Sequence, residues 1–204
     1  MTSYYCQNSR IIDTKVRMLL ERYCRKELLS CKPIPVESVA ESLGLNIEYQ
    51  YLTKYGKAVL GKVICSNGYT PYYDMEEKGY RLLAVKEGTV LIEARLIEQD
   101  NNIGRYRFTL AHEIGHWIMH REKINSYRAE AAFEDNFHSA NIERQADYFA
   151  SSLLMPASAV KKQYYSTIVK VNNGDKFALI EKMAEHFEVS KQAMEISLRS
   201  YNLI

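Results

Sequence analysis

The sequence is short of the residues that break a chain and of those that staple one. Nine glycines and four prolines are scattered over 204 residues, so no flexible or proline-rich linker divides it. Four cysteines, Cys6, Cys24, Cys31 and Cys65, form no C-x-x-C pair. That excludes a cysteine-based zinc or redox motif and leaves free thiols. No run approaches the ~20 apolar residues of a membrane-spanning helix. Met1-Thr2-Ser3-Tyr4-Tyr5-Cys6 lacks the basic and apolar regions of a secretory signal, so a cytoplasmic protein is expected. An excess of one charge is also missing. Lys and Arg number 27 against 25 Asp and Glu, a net of +2, which gives no global case for nucleic acid or an anionic membrane.

What is present suits one folded protein. Hydrophobic residues make up 47% and charged residues 25%, which rules out wholesale disorder. A chain of this length buries roughly 70% of its unfolded surface without disulfides. Tyrosine is in surplus, 16 against 6 phenylalanines and 1 tryptophan. Its apolar ring and polar tip suit wet grooves and interfaces.

Hydrophobic spacing orders the elements. Ile12, Val16, Leu19, Leu20, Tyr23, Cys24 and Leu28 predict a helix over 11–29. Cys31-Lys32-Pro33-Ile34-Pro35 ends it, and Val36 to Leu43 forms a short second helix stopped by Gly44. Leu45–Leu52 alternates apolar and polar, and Val59–Cys65, Arg81–Val85 and Thr89–Leu96 are β-rich. They predict a small, largely antiparallel sheet of three or four strands. Helical segments follow at about 105–120, 140–153, 157–166, 175–187 and 190–200, with polar residues Arg121–Asn136 a long loop between the first two. The class is α+β.

The chemistry concentrates in Thr109-Leu110-Ala111-His112-Glu113-Ile114-Gly115-His116-Trp117-Ile118. Residues four apart on a helix lie about 40° apart around its axis, so both imidazoles project from one face. That pair suits Zn²⁺ at about 2.0–2.1 Å, with Glu113 placed to reach a water without binding the metal. The H-E-x-x-H pattern alone is weak, and solvent-facing histidines on an amphipathic helix are the ordinary alternative. Apolar flanks on all sides of this helix argue against that alternative, because burying such groups unpaired is costly. A catalytic zinc needs a third protein ligand. In Asn141-Ile142-Glu143-Arg144-Gln145-Ala146-Asp147, Glu143 and Asp147 share a helix face. Glu143 is the candidate third ligand, and Asp147 an outer acceptor that orients a ligating imidazole. Spacing alone favours a solvated face formed with Arg144.

Arg107-Phe108-Thr109-Leu110-Ala111-His112-Glu113-Ile114-Gly115-His116, then Glu143-Arg144-Gln145-Ala146-Asp147-Tyr148-Phe149-Ala150 and Leu153-Leu154-Met155-Pro156, closely resemble the ImmA/IrrE family of metallo-endopeptidases. The resemblance covers roughly 35–204. It implies a zincin-like core, with His112, His116 and Glu143 matching the zinc ligands and Glu113 the general base. It further implies an intracellular endopeptidase cutting a protein partner, typically a helix-turn-helix repressor of mobile-element or stress genes. In such chemistry Zn²⁺ acidifies water and polarises the scissile carbonyl, while Glu113 takes a proton and later delivers it to the leaving amine. A further donor should stabilise the oxyanion. His138, Tyr106, Tyr148 and His120 are candidates, and His120 is better suited to support the site, or to lie exposed at the helix C-terminus, than to bind metal.

The division expected is a peptidase domain over 1–170 and a C-terminal helical subdomain over 171–204. The tail holds two short helices joined at Glu188-Val189-Ser190, with Ser190 as N-cap, and is helix-turn-helix-like. From Gly174 to Ile204 four basic residues meet five acidic ones. That balance argues against direct nucleic-acid binding and for a structural or partner-docking pair. Residues Arg10–Lys32 carry seven basic and three acidic side chains, read as the solvated face of a packed helix. Two other functions stand beside the endopeptidase: a non-proteolytic anti-repressor or DNA-associated module on the same fold, and a peptidase of small peptides or toxin-like hydrolase, which a narrow, closed cleft would favour.

Overall fold

The computed structural model describes residues 2–55, 59–98, 102–129, 136–171 and 175–204. Helix α1 (Thr2–Tyr23) turns Ile12, Val16, Leu19 and Leu20 into the core, as their spacing requires. The helix expected over 11–29 is two helices. Cys24 leaves helical geometry at φ −132°, and α2 (Arg25–Ser30) follows. Backbone bonds to Leu20 and from Leu28 survive on either side, while the kink keeps both Cys24 and Cys31 buried. Helix α3 (Val36–Ser42) stops just before Gly44, whose φ of +75° suits glycine.

Five strands form two sheets rather than one. β1 (Asn46–Gln50), β2 (Gly61–Val63) and β5 (Thr89–Glu93) lie in the order β1-β5-β2. β5 runs parallel to β1, with Asn46 opposite Thr89, and antiparallel to β2, with Gly61 opposite Ile92. β3 (Gly68–Asp74) and β4 (Gly79–Val85) make a separate antiparallel hairpin. β3 was not anticipated, because Ser66-Asn67-Gly68 signals a turn and Pro71 interrupts the run. A two-stranded sheet has only edges, where proline is tolerated. β5 is buried along its whole length. Val90 and Ile92 face the helical core, while Leu91 joins Leu52, Ile64 and Val85 in a smaller cluster.

Helix α4 (Arg95–Glu98) is one turn, and α5 (Ile103–Ala129) is the longest element. The polar stretch from Arg121, expected as loop, continues α5 to Ala129. It has no proline or glycine to end the helix, and polarity had stood in for a break. Helices α6 (Asn136–Leu154), α7 (Ala157–Ile168), α8 (Lys176–Phe187) and α9 (Lys191–Ser200) follow. Asp175 caps α8 by accepting from the Ala178 amide, and Ser190 caps α9 by accepting from the Ala193 amide. Between them Glu188 adopts φ +53° and pairs with the buried Arg107 guanidinium at 3.2 Å. One apolar core joins Ile12 of α1 to Leu198 of α9. Among the described residues, no helix is long and apolar enough to cross a membrane.

Candidate metal centre

Leu110, Ala111 and Ile114 are fully buried, and they draw α5 into the core together with Glu113 and His116, 6% and 7% exposed. Helix α6 then crosses α5 at close range. A Cβ on Gly115 would lie 3.1 Å from Phe149 Cδ1 and 3.3 Å from Ala146 Cα, so a side chain there would press α6 away by a few tenths of an ångström. The crossing carries Glu143 of α6 over the two histidines of α5.

Three side chains converge there. His112 Nε2 and His116 Nε2 are 2.9 Å apart. Glu143 places Oε2 3.2 Å from His112 Nε2 and Oε1 3.3 Å from His116 Nε2. Ligands held at about 2.0–2.1 Å around a tetrahedral ion lie about 3.3 Å from one another, so His112, His116 and Glu143 could hold a metal ion. Their outer partners fit the same purpose. His112 Nδ1 meets Asp147 Oδ1 at 2.9 Å. His116 Nδ1 meets His120 Nδ1 at 3.3 Å, and His120 Nε2 meets Gln145 Oε1 at 3.0 Å. Protons on both Nδ1 atoms of the inner pair satisfy the whole chain: Asp147 and His120 accept, and His120 donates through Nε2 to Gln145. That pattern leaves both inner Nε2 lone pairs facing one another.

Without a metal, a proton fills that role. Burial opposes protonation of His112, but hydrogen bonds to Asp147 and Glu143 and the nearby Glu113 charge push its pKa up to about 10. Hydrogen bonds from the same two imidazoles hold Glu143 well below the usual carboxylate range. Glu113 moves the other way, because burial pushes its pKa up against the neighbouring histidines. Its Oε2 accepts the Val63 amide of β2 at 2.8 Å. A Cβ on Gly61 would lie 2.9 Å from Glu113 Oε1 and 2.8 Å from Thr109 Cγ2. Strand β2 is thus laid directly on the carboxylate. A cleft of about 570 Å³, lined by β2, Phe108 and these groups, opens over the centre.

The structure brings together His112, Glu113, His116, Glu143 and Asp147. It does not bring the tyrosines anticipated as oxyanion donors: Tyr106 meets the Tyr49 hydroxyl at 3.2 Å, Tyr148 donates to Asp13 at 3.0 Å, and neither lines the cleft. His120 is buried behind His116, so of its two expected places it takes the supporting one and is not exposed. The His138 side chain lies outside the described residues. Gln145, Gly61 and the Val63 amide escaped the sequence reading. Gln145 is two positions from Glu143, about 200° round the helix, and so off the face that the spacing singled out.

A helix-borne histidine pair, a carboxylate from a second crossing helix and an edge strand above them make a zincin-like metallopeptidase core. The model of the peptidase M78 family, described as the IrrE N-terminal-like domain, matches residues 79–199. The chain belongs to this family, and is a metallopeptidase-family protein. No curated protein matches it.

Proposed function

We propose that the protein is a zinc-dependent endopeptidase of the cytoplasm that cuts a protein partner, a helix-turn-helix transcriptional repressor. The observation that carries this reading is the convergence of His112, His116 and Glu143 beside the buried Glu113. In this reading His112, His116 and Glu143 are the metal ligands, and Asp147 fixes the His112 ring through Nδ1. Zn²⁺ held there supplies Lewis acidity to water and to the scissile carbonyl. Glu113 is the general base. Its raised proton affinity suits it to take the proton of the attacking water and return it to the leaving nitrogen. Family membership and an edge strand beside the centre support a polypeptide substrate, since an extended chain can lie along β2.

The test is co-expression with the repressor encoded nearest the gene, comparing wild type with Glu113→Gln. Glu113→Gln should retain its metal and lose cleavage by about 10²–10⁴-fold, the usual worth of a positioned base. Cleavage that persists refutes the role of Glu113. Repressor relief that persists without cleavage supports a non-proteolytic anti-repressor instead.

A further inference from the structure

A second hollow, about 460 Å³, lies between α6 and the first turns of α9. Phe108 and Asp147 line both this hollow and the cleft over the metal ligands. The two are therefore stretches of one groove. Its α6 wall carries Arg144 and Tyr148, and its α9 wall carries Gln192 and Ile196.

Two features of these walls call for an occupant. Ile196 is 59% exposed, whereas Met194 and Leu198 of the same helix are fully buried. Its apolar side chain is left beside Phe108 with nothing over it. Among the described residues, no ion pair or hydrogen bond holds the Arg144 side chain, although it follows Glu143 directly. The N-terminus of α9 opens on the same hollow and adds the positive end of a helix. The one acidic wall residue, Asp147, is already engaged by His112 Nδ1.

We infer that this hollow is a substrate subsite, taking residues to one side of the scissile bond. An apolar side chain lies between Phe108 and Ile196, and an adjacent carboxylate pairs with Arg144. The inference rests on the peptidase reading and deepens it by naming what the substrate presents. It also gives the C-terminal helices a role. In a helix-turn-helix DNA reader, the N-terminal residues of the second helix meet base edges. Here Ser190, Gln192 and Ile196 line the groove leading to the metal ligands. The Arg107–Glu188 ion pair ties the α8–α9 turn to α5, so α9 is a fixed wall of the cleft.

The test uses the full chain carrying Glu113→Gln, loaded with Zn²⁺, as bait for a displayed library of random dodecapeptides. Retained peptides should combine an aliphatic or aromatic residue with Asp or Glu at constant spacing. Adding Arg144→Glu should lower recovery of those acidic peptides by about tenfold, the scale of one modest ion pair, and select Lys or Arg in their place. Adding Ile196→Arg should abolish the apolar preference; it provides a second test should the Arg144 variant fail to fold. No retained consensus, or one indifferent to both substitutions, overturns the subsite. Wild-type protein is then given the retained peptides. Binding without cutting counts against the peptidase reading and leaves the subsite standing. Cutting with no acidic–apolar consensus does the reverse.

Discussion

Two imidazole nitrogens that turn lone pairs on one another need a cation between them. His112 and His116 are in that position because Asp147 and His120 take the protons of their outer nitrogens. His120 is in turn held by Gln145. Replacing His120 with Phe should therefore weaken zinc binding about 10–100-fold, as loss of such outer partners does. His120→Asn, which keeps an acceptor near the Nδ1 position, should restore most of it; a chelator-competition titration reads both. Protonation gives a second prediction. The metal-free protein carries a proton on His112 at neutral pH, since its pKa is pushed up to about 10. Metal must displace it, so zinc loading at pH 7 should release about one proton, measurable by calorimetry in buffers of different ionisation enthalpy. The release should vanish as pH passes about 10. The folded-state value lies above the ordinary 6.5, so this proton stabilises the metal-free fold fully below pH 6.5. That contribution is lost as pH rises through about 10; the melting temperature of chelator-treated protein should fall over the same interval. The tyrosine surplus also finds a use at this scale. Tyr148 reaches Asp13, Tyr164 the Leu203 carbonyl and Tyr201 the Met155 carbonyl, so their hydroxyls clasp elements together rather than wetting the metal cleft.

Among the elements, the contact of β2 with α5 is the most demanding. Gly61 lies against Thr109 and Glu113 with no room for a methyl group. Gly61→Ala should destabilise the protein by about 1–3 kcal/mol, the usual cost of overpacking, and lower turnover further by moving the carboxylate. A thermal melt paired with kinetics separates the two effects, and turnover unchanged in folded protein would show that β2 does not position Glu113. Much of this arrangement was legible in advance. The four-residue spacing of His112 and His116, set among apolar neighbours, marks a buried helix face. Glu143 and Asp147 stand among polar residues, and only the family resemblance turns their face toward the first. The small residues Gly115 and Ala146 that let the two helices touch stand in the same motifs, yet closeness across helices leaves no periodicity to read. Strand β3 was hidden for a related reason. Its Pro71 and turn-rich start obey the rules of an edge, and only the pairing with β4 shows that it has one. The length of α5 was misread because polar residues that form good helices carry no apolar stripe. Backbone groups such as the Val63 amide have no signature in sequence at all.

At the scale of the molecule, the apolar core does not stop where the helical tail begins. Met183, Phe187, Met194 and Leu198 belong to the same cluster as Ile12 and Leu110. Phe187→Ala should cost about 3–5 kcal/mol, as a large core truncation does. It should lower one cooperative transition for the entire protein, followed by circular dichroism and by zinc release together. A tail that melts alone, with zinc still bound, would show two independent units.

That shared core has a consequence for synthesis. Domains complete their folding as units while the ribosome adds roughly 5–20 residues each second. Leu198 must have emerged before the cluster that also contains Ile12 is complete, and the α9 wall of the groove comes with it. A nascent chain that already displays His112, Glu113, His116 and Glu143 thus still lacks the last part of the apolar core on which their helices rest. The core beneath the candidate metal centre is complete only when almost the whole described chain has been made.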